Sequence, residues 1–92
     1  MPNLFTVSGY KIYFWSNESG EPIHVHISKG KPLPSSTKIW LTKSGGCIVA
    51  NNKSGIPAAE LNGLMEFISA QFFIICDMWK KFFSTDEIKF YC

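Results

Sequence analysis

The clearest structural signal in this chain is the run Pro22-Ile23-His24-Val25-His26-Ile27, which contains both of its histidines. Successive side chains of a β-strand point to opposite faces of the sheet. The three aliphatic side chains therefore share one face of this strand, and the two imidazoles share the other. If the aliphatic face lies in a core, the imidazoles belong to the outer face, and we expect solvent to reach at least one of them.

Four further segments have the pattern of strands, and all are rich in β-branched and aromatic side chains. They are residues 4–7, 10–15, 37–42 and 47–50. Turn residues separate them at 8–9 and 43–46, and two prolines interrupt the connection 29–36. Such short connections favour an antiparallel meander. We therefore predict that residues 1–52 form an antiparallel sheet of four or five strands.

The periodicity changes at Pro57, which suits the first turn of a helix. Beyond it, apolar residues recur at steps of three and four, which is typical of an amphipathic helix. They are Leu61, Leu64, Met65, Ile68, Phe72, Ile75, Cys76, Trp79, Phe82 and Phe83. We predict one helix over residues 57–83, about 40 Å long, packed across one face of the sheet. Residues 84–92 would form a tail or a final strand, so residues 1–92 are expected to form a single α+β domain.

Composition narrows the class of protein. A length of 92 residues with 46% hydrophobic content suits one globular domain. The uncharged run 67–76 is shorter than the roughly 20 residues of a membrane span, and no basic segment precedes an apolar run at the N-terminus. We therefore expect a cytoplasmic protein without membrane association. Its three dispersed cysteines are expected to be reduced.

Charge is divided unevenly along the chain. Residues 1–57 contain six lysines and two glutamates, a net charge of +4, whereas residues 58–92 have three lysines and five acids, a net charge of −2. A basic surface that binds nucleic acid or an acidic partner would use Lys29, Lys31, Lys38, Lys43 and Lys53. The chain has no arginine, which argues against sequence-specific DNA reading. The alternative is a solvated lysine surface.

The paired imidazoles suggest a chemical site. His24 and His26 are candidate ligands of a divalent metal or an acid–base pair, with Glu18 as an oxygen ligand or base. Cys47 is a conceivable third ligand for zinc, although structural zinc sites normally have four. The chain has no HExxH motif, glycine-rich phosphate loop or nucleophile elbow. The alternative is a structural role, so the sequence leaves open whether the protein is an enzyme.

A second apolar feature lies outside the main stripe of the predicted helix. Phe67 is at its margin, and Phe73 and Ile74 lie among polar residues. Because an exposed apolar patch usually has a function, we predict that these three residues form an interface in a homo-oligomer or with a partner. The alternative is that Phe90 and Tyr91 fold back and cover the patch.

Longer motifs resemble a known family. They are Gly9-Tyr10-Lys11-Ile12-Tyr13-Phe14-Trp15-Ser16-Asn17-Glu18, the histidine run, and Lys38-Ile39-Trp40-Leu41. These are similar to a small bacterial domain-of-unknown-function family with a GYRIFFYSNE start and a PPHVHV motif. The family's HxH falls on His24 and His26, and its SNE ends at Glu18. This chain has Ser19 where the family often has a histidine, and a single proline before the first histidine.

The resemblance implies a bacterial protein from a two-gene unit similar to toxin–antitoxin arrangements. We therefore interpret the chain first as a protein-interaction module that self-associates or binds a small protein partner. One alternative is a metal-assisted or acid–base nuclease or hydrolase that uses His24 and His26. The other is non-specific nucleic-acid binding through the lysine-rich sheet.

Overall fold

Five strands form one antiparallel sheet in the order of the chain. The computed structural model describes residues 3–15 and 20–92. The strands are β1 (Asn3–Val7), β2 (Tyr10–Tyr13), β3 (His24–Lys29), β4 (Thr37–Leu41) and β5 (Cys47–Asn51). Each strand pairs with the next, so β3 lies at the centre and β1 and β5 lie at the edges. The α+β class and the antiparallel meander predicted from short connections are confirmed.

The first hairpin sets the register of the sheet. Ser8 and Gly9, between β1 and β2, have φ values of 50° and 82°, and positive φ at both central residues is characteristic of the tight turns that hairpins prefer. The turn pairs Val7 with Tyr10. Continuing through β2, the register places Ile12 opposite Ile27 of β3, so aliphatic side chains of neighbouring strands meet on one face.

The aliphatic face of β3 lies in the core, as its alternation predicts. Ile23, Val25 and Ile27 are fully buried. They belong to one cluster with residues from every strand except the edges, and with the helical segment. Its other members are Tyr10, Ile12, Phe14, Ile39, Leu41, Ile56, Leu64, Ile68, Phe72, Ile75 and Trp79. The predicted packing of the sheet against the apolar stripe is therefore confirmed.

The prediction of one helix over residues 57–83 was wrong. Two helices are present, α1 (Ala58–Ala70) and α2 (Phe72–Phe82), and their axes are bent by 73° at Gln71. A straight helix of about 40 Å would exceed the longest extent of the molecule, 34 Å between Cα atoms. The bend keeps both halves of the stripe on one core, since Trp79 of α2 reaches Phe14 at 5.1 Å between ring centroids.

The end of the chain crosses the sheet as an ordered tail without becoming a strand. The Ile23 amide donates to the Lys89 carbonyl at 2.8 Å, and the Lys43 amide donates to the Cys92 carbonyl at 3.0 Å. Two aromatic rings of the tail pack in different places. Phe90 stacks on Phe72 of α2, and Tyr91 stacks on Trp40 of β4 with the ring planes 3° apart.

No single helix within residues 3–15 and 20–92 has the length and apolarity needed to cross a membrane. Helices α1 and α2 together have that length and apolarity, but they are bent relative to each other.

We predict that the core and surface isoleucines of the helices differ sharply in their contribution to stability. Ile68 is fully buried, whereas Ile74 is half exposed. The Ile68→Ala variant should lower the free energy of unfolding by about 2–5 kcal/mol because it leaves a cavity. The matched Ile74→Ala variant should change it by less than about 0.5 kcal/mol. Urea denaturation measures both, and equal losses would contradict the packing described.

Candidate functional site

The two imidazoles share a face of the sheet, but that face is closed. Their ring centroids lie 5.0 Å apart, as alternation along β3 predicts. His24 is 1% exposed and His26 is 7% exposed, so the expectation that solvent reaches at least one of them was wrong. The outer face of β3 is therefore as well covered as its core face.

Aromatic side chains from four parts of the chain make this cover. His26 stacks on Tyr13 at 5.8 Å between ring centroids, and Trp15 packs edge-on against His26 at 6.0 Å. His24 meets Trp40 of β4 at 5.4 Å and Trp79 of α2 at 5.5 Å. Burial of the histidines thus results from large rings on β2 and β4 and from the bend that brings α2 over the end of the sheet.

Hydrogen bonds orient both rings. His24 Nδ1 lies 2.8 Å from the Pro22 carbonyl oxygen, and because a carbonyl only accepts, Nδ1 of His24 carries a proton. His26 Nδ1 lies 3.0 Å from Ser36 Oγ. Ser36 belongs to the connection between β3 and β4, and its pairing with His26 depends on how that connection folds. No sequence signal singled it out.

The Ser36–His26 contact has the pairing of a nucleophile with a base. Ser36, however, is itself buried, and neither cleft described below is lined by Ser36 or by a histidine. Buried polar groups normally have hydrogen-bond partners. The geometry observed is that of a satisfied polar layer beneath aromatic rings, and acid–base chemistry here requires that layer to open.

The predicted metal ligands are only partly brought together. Within the part of the chain that the structure describes, no three His, Cys, Asp or Glu residues are placed to hold a metal ion. Glu18 lies outside that part. Cys47 pairs with Leu41 on the core face, where its thiol donates to the Met65 carbonyl at 3.4 Å. The zinc cluster conceived for Cys47 with the two histidines was therefore wrong, because these side chains lie on opposite faces.

The five lysines singled out in the sequence do not form one patch. Lys29, Lys31 and Lys53 lie at the end of the sheet where β3 and β5 finish, and Lys43 lies at the other end. Lys38 lies on β4 beside the histidines. Its Nζ is 2.7 Å from a carboxylate oxygen of Glu21 and 4.2 Å from the centre of the Trp40 ring, so its charge is already paired.

The apolar patch predicted on the helix is present on α2. Phe73 is 83% exposed and Ile74 is 50% exposed. Phe67 differs, because it lies on α1 and packs edge-on against Phe5 of β1 at 5.1 Å between ring centroids. Phe90 and Tyr91 pack on Phe72 and Trp40, so the tail does not cover the patch. We use the term α2 patch for Phe73 and Ile74.

Two clefts flank α1. A cleft of about 290 Å³ is lined by Val7, Ser8, Tyr10, Glu60, Gly63 and Leu64. In it the Tyr10 hydroxyl donates to a Glu60 carboxylate oxygen at 3.2 Å. Burial, followed by the Glu60 charge, raises the pKa of Tyr10.

The second cleft, the β5 groove, has a volume of about 450 Å³ and lies between β5 and α1, lined by Cys47, Asn62, Met65, Glu66 and Ser69. Burial raises the pKa of the Cys47 thiol, and its hydrogen bond with Ser69 opposes that shift. A thiol that holds its proton is a poor nucleophile and metal ligand, so this groove offers shape and polar contacts rather than a reactive sulfur.

A five-stranded meander covered by two helices defines a class of small α+β domain, and such a fold does not specify an activity. The family model of DUF4160, a domain of unknown function, matches residues 9–80. The chain belongs to this family. Searches of curated proteins and of solved structures found no match to the chain. Membership of this family therefore identifies the relatives of the chain but does not assign an activity to it.

We predict that Ser36 stabilises the histidine layer. The Ser36→Ala variant removes the hydrogen bond with His26 and should lower the free energy of unfolding by about 1 kcal/mol. Ser35→Ala, at an exposed neighbouring position, is the matched control and should have no measurable effect. Urea denaturation compares the two. Equal stability of the Ser36→Ala variant and the wild type would show that the contact contributes nothing.

We also predict an alkaline loss of stability that depends on Cys47. Its pKa is raised above 9.0 in the folded state, so the folded chain keeps a proton that the unfolded chain releases. The contribution of this thiol to the free energy of unfolding is therefore fully present below the unfolded pKa, and it is lost as pH rises through the folded pKa. In urea denaturation at pH 7–10, the decline should be shallower for Cys47→Ser. The exposed Cys92, changed to serine, should leave the slope unaltered.

Proposed function

We propose that this protein is a protein-interaction module of a bacterial two-gene, toxin–antitoxin-like system, acting in the cytoplasm and binding through the α2 patch. The observation that carries the proposal is the exposure of Phe73 and Ile74 beside each other on α2, whose Phe72, Ile75 and Trp79 are buried. A phenylalanine this exposed is costly to leave in water. A contiguous apolar patch on a small chain commonly marks an interface.

The surroundings of the α2 patch favour a second copy of this chain as one occupant. Asp77 lies one turn beyond Phe73, and Lys80 and Lys81 follow in the last turn of α2. Two such helices packed antiparallel about the patch place Phe73 and Ile74 of one copy against the same residues of the other, with Asp77, Lys80 and Lys81 of each copy towards the rim. A two-fold interface is self-complementary in this way, and its charged rim orients the copies while the apolar centre supplies the affinity.

The burial of the histidines and the positions of the lysines favour an interaction module over the two alternatives, which are an enzyme and a nucleic-acid-binding protein. An enzyme that used His24 and His26 would need substrate to reach rings that aromatic side chains and Ser36 enclose. Binding of nucleic acid through the sheet would need lysines on one surface, and the five candidates are divided between its two ends and its outer face. Neither alternative has an observation that favours it over a module that acts through its surface.

We predict that the wild-type protein is dimeric at micromolar concentration and that Phe73→Glu is monomeric. A carboxylate in the centre of the α2 patch would be desolvated without a partner, which strongly disfavours association. Light scattering distinguishes a mass near 10.4 kDa from twice that mass. Leu33→Glu, which charges an exposed apolar residue in the β3–β4 connection, is the control and should remain dimeric. A monomeric wild type would contradict self-association.

The two-gene part of the proposal has its own test. Co-expression with the product of the adjacent gene, followed by purification and mass measurement, should give a complex of defined stoichiometry. A neighbour that leaves the mass of this chain unchanged would contradict a two-gene module.

A further inference from the structure

We infer that strand β5 is the docking edge for an extended segment of a partner protein, with an apolar centre and acidic ends. This inference rests on the proposed function, because it describes how the partner of the module would be recognised. The surface concerned is separate from the α2 patch.

The first step of the argument is the edge itself. Within the sheet β5 pairs with β4 on one side only, so half of its backbone N–H and C=O groups face outward along residues 47–51. Such groups form a template for another strand. No residue of β5 is charged, and Ile48 and Val49 are 38% and 39% exposed. The strand therefore lacks the charges that usually protect an edge.

The second step is the space beside the edge. The β5 groove runs between β5 and α1, and Met65 forms part of its apolar lining. A strand added to β5 lies about 4.8 Å further out and sends every second side chain towards α1. Those side chains would enter the β5 groove, while their neighbours would extend the row of Ile48 on the outer face. The added segment thus gains apolar contacts on both of its faces.

The third step fixes the position of the segment. Val49 pairs with Ile39 and Asn51 pairs with Lys38, so Ala50 is an extra residue in β5. A bulge of this kind bends the strand and interrupts regular pairing. The regular part of the edge is therefore residues 47–49, which is also the part beside the β5 groove. The other edge, β1, is more covered, because its Phe5 packs on Phe67 of α1.

The fourth step is the charge around the edge. Lys43 precedes β5 and Lys53 follows it, both are exposed, and residues 22–59 contain no acidic residue. Two copies paired antiparallel about Val49 would bring Lys53 of each near Lys43 of the other, and like charges at such positions repel. Acidic ends on a partner segment complement both lysines. Glu66, the acidic residue of the groove lining, lies on α1.

The test uses two matched synthetic peptides. Each peptide has a centre of five β-branched residues and two charged residues at each end. N-methyl groups along one edge of the peptide prevent self-assembly. One peptide has glutamate ends and the other has lysine ends. Titration followed by NMR at low salt should shift the amide resonances of residues 47–49. The acidic peptide should bind about tenfold more tightly or better, and added salt should weaken its binding.

Three variants complete the experiment, and circular dichroism verifies that each is folded. The double variant Lys43→Glu with Lys53→Glu should reverse the preference between the peptides, and Ile48→Lys should weaken binding of both. Phe73→Glu should bind like the wild type. The inference would be overturned if the two peptides bound equally well or if resonance shifts were confined to residues outside 47–49. It would also be overturned if the wild type were dimeric and Ile48→Lys monomeric, because β5 would then be the dimer interface. If the acidic peptide fails to bind while Phe73→Glu still abolishes dimers, only the docking edge is refuted.

Discussion

The structure depends on one constraint, which is that strand β3 is buried on both faces. Its aliphatic face joins the helices in the core, and its other face has two imidazoles that must be buried with hydrogen bonds. Pro22 supplies one acceptor and Ser36 lies against the other ring. Those partners belong to the connections on either side of β3, so the requirement to satisfy two histidines also fixes how the chain enters and leaves the strand.

The features that follow from local periodicity could be predicted from sequence. Alternation along each strand and the turn residues between strands determine the order and direction of the sheet. The three- and four-residue steps after Pro57 identify the residues that cover it. These signals are short in range and each is repeated, so an error at one position changes little.

The features that were missed depend on residues distant in the chain. Gln71 is an ordinary helix former, and α1 ends there because a straight helix would leave the core. The outer face of β3 is covered by rings that include Trp40 and Trp79. The sequence near the histidines contains no pattern that predicts these two contacts. Ser36 meets His26 only once β3 and β4 pair. The site was therefore less predictable than the fold, since its environment is a property of the tertiary structure.

The bend between α1 and α2 also determines which side chains are exposed on the surface. By turning away from α1, α2 places Trp79 over the end of the sheet and leaves Phe73 on the outside, so one departure from regular helix both closes the histidine layer and creates the α2 patch. The sheet edge at β5 remains outside this arrangement. The described part of the chain thus presents two surfaces of different chemistry, one an apolar patch on a helix, the other a strand edge flanked by lysines.

The tail has a consequence for the order of assembly. Adjacent strands of a meander are joined by short loops, so they pair at little entropic cost, whereas the hydrogen bond from Ile23 to Lys89 closes a loop between residues 66 positions apart. Loop closure over such separations is slow. The tail therefore docks after the sheet has formed and is held by few groups, which makes it a separate unit of local opening. Trp40, stacked on Tyr91, is one residue whose environment changes when that unit detaches.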